Sequence, residues 1–229
     1  ANANPDLRWE KKYEYNLGID YAFLENRLFG SLDLYMRNTV DLLWEYDVPT
    51  PPYQYNKLLA NCGAIQSKGI ELAITGIPVK TKNWEWSSTF TIAFNDNKIT
   101  KLSDKELGLN YSEMLTGGVG ENGIQGVNTQ KIVEGESVGI FYGYKVDYMT
   151  PDGKLVYEKD EDGKAKMQII GRAQPIFTYG WNNTIRYKNW DLTIFFRGNY
   201  GNDILNVKRW AYGPNKSQGL NTFMKDVEA

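Results

Sequence analysis

The feature that most constrains this chain is a two-residue alternation of apolar and polar side chains, held for about eleven residues at a time. From Tyr13 to Phe23 the odd positions are Tyr13, Tyr15, Leu17, Ile19, Tyr21 and Phe23, while the even positions are Glu14, Asn16, Gly18, Asp20 and Ala22. After the polar turn Glu25-Asn26-Arg27, Leu28, Leu32, Leu34 and Met36 alternate with Ser31, Asp33, Tyr35 and Arg37. Two alternating runs across a short turn predict a hairpin, at about residues 11–46. A second hairpin, at about 65–97, pairs Ile70, Leu72 and Ile74 with Trp84, Trp86, Phe90, Ile92 and Phe94 across Lys80–Asn83, and only Ser88 breaks the pattern. A third, at about 175–206, sets Phe177, Tyr179, Trp181, Ile185 and Tyr187 against Trp190, Leu192, Ile194, Phe196 and Tyr200 across Lys188-Asn189.

Aromatic residues stand at both ends of these stripes: Tyr13 and Phe23, Trp84 and Phe94, Phe177 and Tyr187, Trp190 and Tyr200. Ten residues at about 3.3 Å each, tilted by about 40°, project to roughly 25 Å, the height of the apolar band between the aromatic girdles of a membrane β-barrel. Strands of a soluble sandwich are typically about five or six residues long, so a carbohydrate-binding β-sandwich is the weaker alternative. The expected fold class is all-β: antiparallel transmembrane barrel strands joined by short turns on one side and long extracellular loops on the other. Those loops are placed at about 47–64, 99–175 and 206–229. Within the longest, Gly117, Gly118, Gly120 and Gly123 mark irregular backbone, and Val138–Asp147 and Lys154–Tyr157 read as short extra strands.

Composition removes whole classes of function. Mean hydropathy is −0.52, and no stretch approaches the roughly 18 apolar residues of a membrane helix. The 26 basic and 28 acidic residues are spread along the chain, without the basic footprint of a nucleic-acid binder. With no histidine and with Cys62 as the sole cysteine, a Ser-His-Asp triad, a Cys-His pair, a disulfide framework and the usual zinc sites are all excluded. No carboxylate pair stands out as a glycoside-hydrolysing centre, so the chain is read as a non-enzyme with no catalytic residue, no resident metal and no cofactor. A surface-anchored hydrolase is set aside on the same grounds.

Six strands fall short of the roughly eight with which single-chain barrels begin, and an open edge in lipid leaves backbone groups unpaired. The chain is therefore expected to be one section of a longer polypeptide.

Specific elements resemble a family. Asn4-Pro5-Asp6-Leu7-Arg8-Trp9-Glu10, Gly30–Tyr35, Ser67–Leu72, Gly139–Tyr144, Ile170–Pro175 and Phe195–Asn202 are similar, in order, to late barrel elements of SusC/RagA-type TonB-linked outer-membrane transporters. The resemblance implies a barrel of about 22 strands in the outer membrane of a Gram-negative bacterium of Bacteroidota type. It also implies an N-terminal plug that is absent here, energisation by TonB through that absent N-terminal region, and a SusD-like surface lipoprotein as partner. The cargo it implies is an oligosaccharide or an oligopeptide.

Local features are read against that background. Glu158–Gly163 superficially fits a calcium loop, but the twelfth position from Glu158 is Ile169, where such a loop needs glutamate, so it reads as a solvated acidic turn. Trp44, Tyr46, Tyr53 and Tyr55 either stack on a sugar ring, contact the partner lipoprotein, or pack as girdle and loop. Asp20, Asp33, Arg37, Glu71, Arg186 and Arg197 are expected on the water-facing side, and substrate-binding residues are left unassigned.

Overall fold

The structure, a computed structural model, describes residues 1–103, 111–120 and 126–212. In chain order its strands are β1 (Lys11–Phe23), β2 (Leu28–Asp47), β3 (Lys57–Lys80), β4 (Trp84–Lys101), β5 (Glu113–Gly118), β6 (Asn128–Val133), β7 (Ile140–Tyr144), β8 (Val146–Met149), β9 (Leu155–Tyr157), β10 (Met167–Arg172), β11 (Phe177–Tyr187) and β12 (Trp190–Tyr200). A short helix, α1 (Val207–Tyr212), follows. No helix among the described residues is long and apolar enough to cross a membrane.

The chain divides into two units. Residues 1–112 and 175–202 form the first, and residues 113–174 and 203–229 the second. In the first unit, β1, β2, β3, β4, β11 and β12 lie side by side in that order as one antiparallel sheet. Strands β1 and β12 are its two edges, so the sheet is not closed. Tight turns make the register possible. Leu24, Glu25 and Asn26 all take positive φ, and the Arg27 amide donates to the Leu24 carbonyl at 3.0 Å. Lys188, at φ 50°, bends the two-residue turn before β12 in the manner of a primed hairpin turn.

Strands β2 and β3 are 20 and 24 residues long, about twice what a tilted membrane crossing needs. Half of the stretch 47–64, expected as a loop, is therefore strand: β3 begins at Lys57, and the connection is 48–56. The sequence hides this because Ala60-Asn61-Cys62-Gly63-Ala64 is small on both faces, as suits a ladder buried on both sides, so no alternation shows. Near the same level β2 is bulged between Thr39 and Leu43, with Asp41 at φ 57°.

All the strands of the second unit lie within the stretch 99–175, expected as a loop containing two short strands. It holds a four-stranded sheet in the order β10-β7-β6-β5 and a separate β8-β9 hairpin. The run expected as one strand over Val138–Asp147 is split at Lys145 into β7 and β8. Strand β5 includes Gly117 and Gly118, residues read as irregular, because a φ of 68° at Gly117 forms a kink within the strand rather than ending it. Of the tail 206–229, Val207–Tyr212 is helical, and residues 213–229 lie outside the described residues.

Candidate functional site: a sheet with two different faces

Register converts the sequence alternation into two surfaces. Leu17, Leu34, Ile70, Phe94, Phe177 and Tyr200 are consecutive cross-strand partners, so one row runs across all six strands. The next row toward the short turns is Ile19, Leu32, Leu72, Ile92 and Tyr179, ending at Gly198. These side chains are not a core: Leu17 is 60% exposed, and Ile70, Phe94, Leu192 and Phe196 are also exposed. Within residues 1–112 and 175–202 no second layer of protein covers this face. At the end carrying the short turns the stripe closes on Trp84, Tyr187 and Trp190; the first two rings lie 4.4 Å apart, and Trp190 is 79% exposed. At the other end it gives way to Lys68, Asp96 and Lys98, with Asp96 at 3.9 Å and 4.0 Å from the two lysines. An apolar band bounded by aromatic rings and then charge is the pattern of a lipid-facing barrel wall.

Two polar side chains interrupt this band, and both have a partner. Ser88 and Asn183 are direct cross-strand partners on the apolar face. The Trp181 indole donates to Ser88 Oγ at 2.9 Å, and the Trp86 indole donates to Asn183 Oδ1 at 3.2 Å. Asn183 is only 7% exposed. In hydrocarbon an unpaired amide is costly, so each indole both satisfies and screens one polar group. Where the chain uses glycine, a ring takes the space: a Cβ on Gly198 would lie 2.6 Å from the Tyr179 ring, its cross-strand partner.

The opposite face is polar. Ser31, Ala73, Thr91, Thr178 and Gly180 form the floor of an open trough of about 610 Å³, with Asp33 and Glu71 on one side and Phe195, Arg197 and Asn199 on the other. Asp33 and Glu71 are direct partners, an arrangement unfavourable between strands unless water or a cation screens it. Asp33, Glu71 and Arg197 form no ion pair among the described residues. The other water-side candidates separate. Arg37 bonds Glu14 at 3.0 Å, Arg186 sits 3.8 Å from Glu85, and Asp20 is opposite Ser31 without lining the trough.

Beyond the band, the outer extension of β2 and β3 does have a core. Tyr46, Leu58, Ala60, Cys62, Ile99 and Leu102 are buried, Ala60 completely. Cys62 Sγ donates to the Leu102 carbonyl at 3.3 Å. The N-terminal segment is strapped onto this extension. Asn2 bridges to Leu58 on the side of β3 away from β2, and its amide donates to the Lys57 carbonyl at 2.9 Å. Buried Asn61 accepts from the Arg8 amide at 2.9 Å and donates to the carbonyls of Arg8 and Asp41, each at 2.7 Å. The Arg8 guanidinium lies 2.8 Å from Asp41 and, with Lys11, holds that carboxyl below its usual range. The motif Asn4–Glu10 thus has a mechanical role that the sequence did not reveal, since Asn61 is more than fifty residues away. Of the four loop aromatics, Tyr46 is core and packs on Tyr111 at 5.4 Å, whereas Trp44 and Tyr55 are exposed, so the four do not form one surface.

In the second unit the acidic turn is internally satisfied. Asp160 Oδ1 accepts from the amides of Asp162 and Lys164, and Glu158 binds Lys145 at 2.7 Å and Gln168 at 2.7 Å. Lys145, then Gln168, hold the Glu158 carboxyl below its ordinary range. Lys131, nearly buried, pairs with Glu113 and lies 4.1 Å from the Tyr142 ring. Gly171 is pressed against Asp203, where a Cβ would lie 2.6 Å from its carboxylate, and that carboxylate accepts from the Arg172 amide at 2.9 Å.

Comparison with known proteins places this geometry. Residues 1–212 match the family described as TonB dependent receptor-like, beta-barrel. The chain is 33% identical to TonB-dependent receptor P3 of Formosa agariphila over 89% of its own length and 22% of that relative. It is 29% identical to TonB-dependent receptor SusC of Bacteroides thetaiotaomicron, over 88% of the chain and 20% of that protein. Among solved structures, the RagAB peptide transporter aligns over 98% of this chain and 26% of the matched chain, with a TM-score of 0.71 and 21% identity. The chain thus spans about a fifth to a quarter of the proteins it matches. With the lipid-type face, the open six-stranded sheet and the family match in agreement, the chain belongs to the TonB-dependent receptor-like β-barrel family.

Proposed function

We propose that this chain is a wall section, with an attached external unit, of an outer-membrane transporter that imports glycan or peptide oligomers in a TonB-dependent manner together with a SusD-like lipoprotein. The observation that carries the reading is the exposed apolar face with its indole-capped Ser88 and Asn183, because such capping has a purpose only where water is absent. The short turns at 24–27, 81–83 and 188–189 face the periplasm, and residues 113–174 stand on the extracellular side. Strands from the rest of the polypeptide, to about 22 in all, pair with the free edges of β1 and β12 and close the barrel. The polar trough faces the lumen, where the plug and water meet Asp33, Glu71 and Arg197. No chemistry on the cargo is required; binding and gated passage suffice.

Cells carrying the full-length protein should accumulate a labelled oligomer, and removal of TonB should abolish that uptake. Uptake that persists without TonB contradicts the reading, as does recovery of the full-length protein in the soluble fraction.

A further inference from the structure

The second unit contains an apolar cleft of about 580 Å³, within the size range of small-ligand sites. Its walls include Tyr144, Tyr157, Ile170, Leu205 and Trp210. The Tyr144 and Tyr157 rings are 5.6 Å apart and inclined by 50°, and Tyr144 is half exposed. Contiguous apolar side chains left open to water mark a candidate interaction surface.

The polar groups of the cleft identify its occupant. Asp203 is its one charged lining residue. One oxygen of that carboxylate accepts from the Arg172 amide, and Asp203 forms no ion pair among the described residues. Thr129, another polar lining group, already donates its hydroxyl to the Gly117 carbonyl at 2.9 Å. A sugar ring presents a hydroxyl at nearly every carbon, and each needs a partner when water is excluded. Besides Asp203 and Thr129, the polar side chains of this cleft are Asn128 and the hydroxyls of Tyr142, Tyr144 and Tyr157, and its inclined tyrosine rings form a notch rather than a flat platform on which a sugar ring would stack. A bulky apolar side chain next to a cationic amine matches both the walls and the free charge, as in the capture of peptide N-termini.

We infer that the cleft formed by Tyr144, Tyr157, Ile170, Leu205, Trp210 and Asp203 is a subsite for an oligopeptide whose first residue is large and apolar, with its free amino terminus at Asp203. The inference rests on the importer reading above and narrows its cargo to peptide.

The test uses the full-length protein in detergent, titrated calorimetrically with a tetrapeptide bearing an N-terminal Phe, with the same peptide N-acetylated, and with maltotetraose. The free peptide should bind, and acetylation should weaken it by about tenfold or more, the loss expected when a charge-assisted contact is removed. Asp203→Asn should weaken the free peptide to a similar degree and leave the acetylated one unmoved, because the amide oxygen can still accept from Arg172. Tyr157→Leu should weaken both peptides while the thermal midpoint stays within a few degrees. Equal binding of acetylated and free peptide overturns the subsite, as does an affinity that neither substitution changes. Binding of maltotetraose without the peptide overturns it too. A lowered thermal midpoint for Tyr157→Leu with no peptide bound means that the cleft holds another part of the polypeptide, which also overturns it. Cellular uptake separates the two levels: TonB-dependent uptake that is intact while the cleft variants bind normally removes the subsite alone, whereas no TonB-dependent uptake by the unaltered protein removes the importer.

Discussion

The middle of the six-stranded sheet and the outer extension of its two longest strands share one hydrogen-bonded ladder but meet different surroundings. In the middle, Leu17, Ile70 and Leu192 are exposed, and the polar intruders Ser88 and Asn183 are held under tryptophan. In the extension, Ala60 and Cys62 are buried, and the polar groups are satisfied by a strap from the N-terminus. The contrast shows that a strand does not carry its environment in its backbone. The same β3 that offers Ile70 and Leu72 on one face and Glu71 on the other turns into Ala-Asn-Cys-Gly-Ala once protein covers both sides.

The sharpest way to break this comparison is to place one charge on each face at the same level. Ile92→Lys, on the apolar face, should destabilise the barrel in bilayers by about 2–4 kcal/mol, as measured for lysine at a bilayer midplane, whereas Ala93→Lys next to it on the polar face should change stability little. Denaturant titration of the refolded full-length protein in vesicles reads both. Equal effects at the two positions erase the distinction between faces.

A smaller loss is expected in the extension. Asn61→Ala removes three hydrogen bonds to the Arg8 and Asp41 backbone from a buried site, for a loss of about 1–3 kcal/mol. Amide exchange at Arg8 and protease sensitivity after Arg8 should rise, while exchange in the middle of β1 stays unchanged.

Next, Trp86→Phe keeps a ring but removes the donor to Asn183, which should lower stability in lipid by about 1 kcal/mol, and Asn183→Leu in the same background should restore most of it. A double-mutant cycle with no coupling contradicts the capping role.

The smallest effect is one of pH. Asp41 is shifted below its ordinary value of 3.8 by Arg8, so its contribution is complete above that value and fades as pH falls through the lowered one. The strap should therefore loosen in acid below about pH 4, detected by exchange at Arg8, and Asp41→Asn should remove that dependence.

The faces of the sheet were legible because period-two alternation is a direct print of strand geometry, so Tyr13–Phe23 and Trp190–Tyr200 could be assigned from composition at each position. The extension was not legible, because residues covered on both sides do not alternate. Ser88 stood out as a break in the sequence, yet its meaning lay in a tryptophan 93 positions away, and Asn183 in one 97 positions away; such pairings exist only once register is known. The trough is partly legible: Asp33, Glu71 and Arg197 share a parity, but their convergence across strands β2, β3 and β12 follows from the order of the strands. The cleft of the second unit was invisible, since it joins Tyr144 and Tyr157 to Asp203 and Trp210 across a run that includes two barrel strands.

The central claim is that lipid covers the apolar face. Spin labels placed singly at Leu17, Ile92 and Ile194 in the full-length protein, reconstituted in bilayers, measure this directly through collisional relaxation by oxygen and by a water-soluble nickel complex. The account predicts high oxygen and low nickel accessibility at all three sites, with the reverse at Ala93. Low accessibility to both reagents at Leu17, Ile92 and Ile194 means packing against polypeptide and contradicts it.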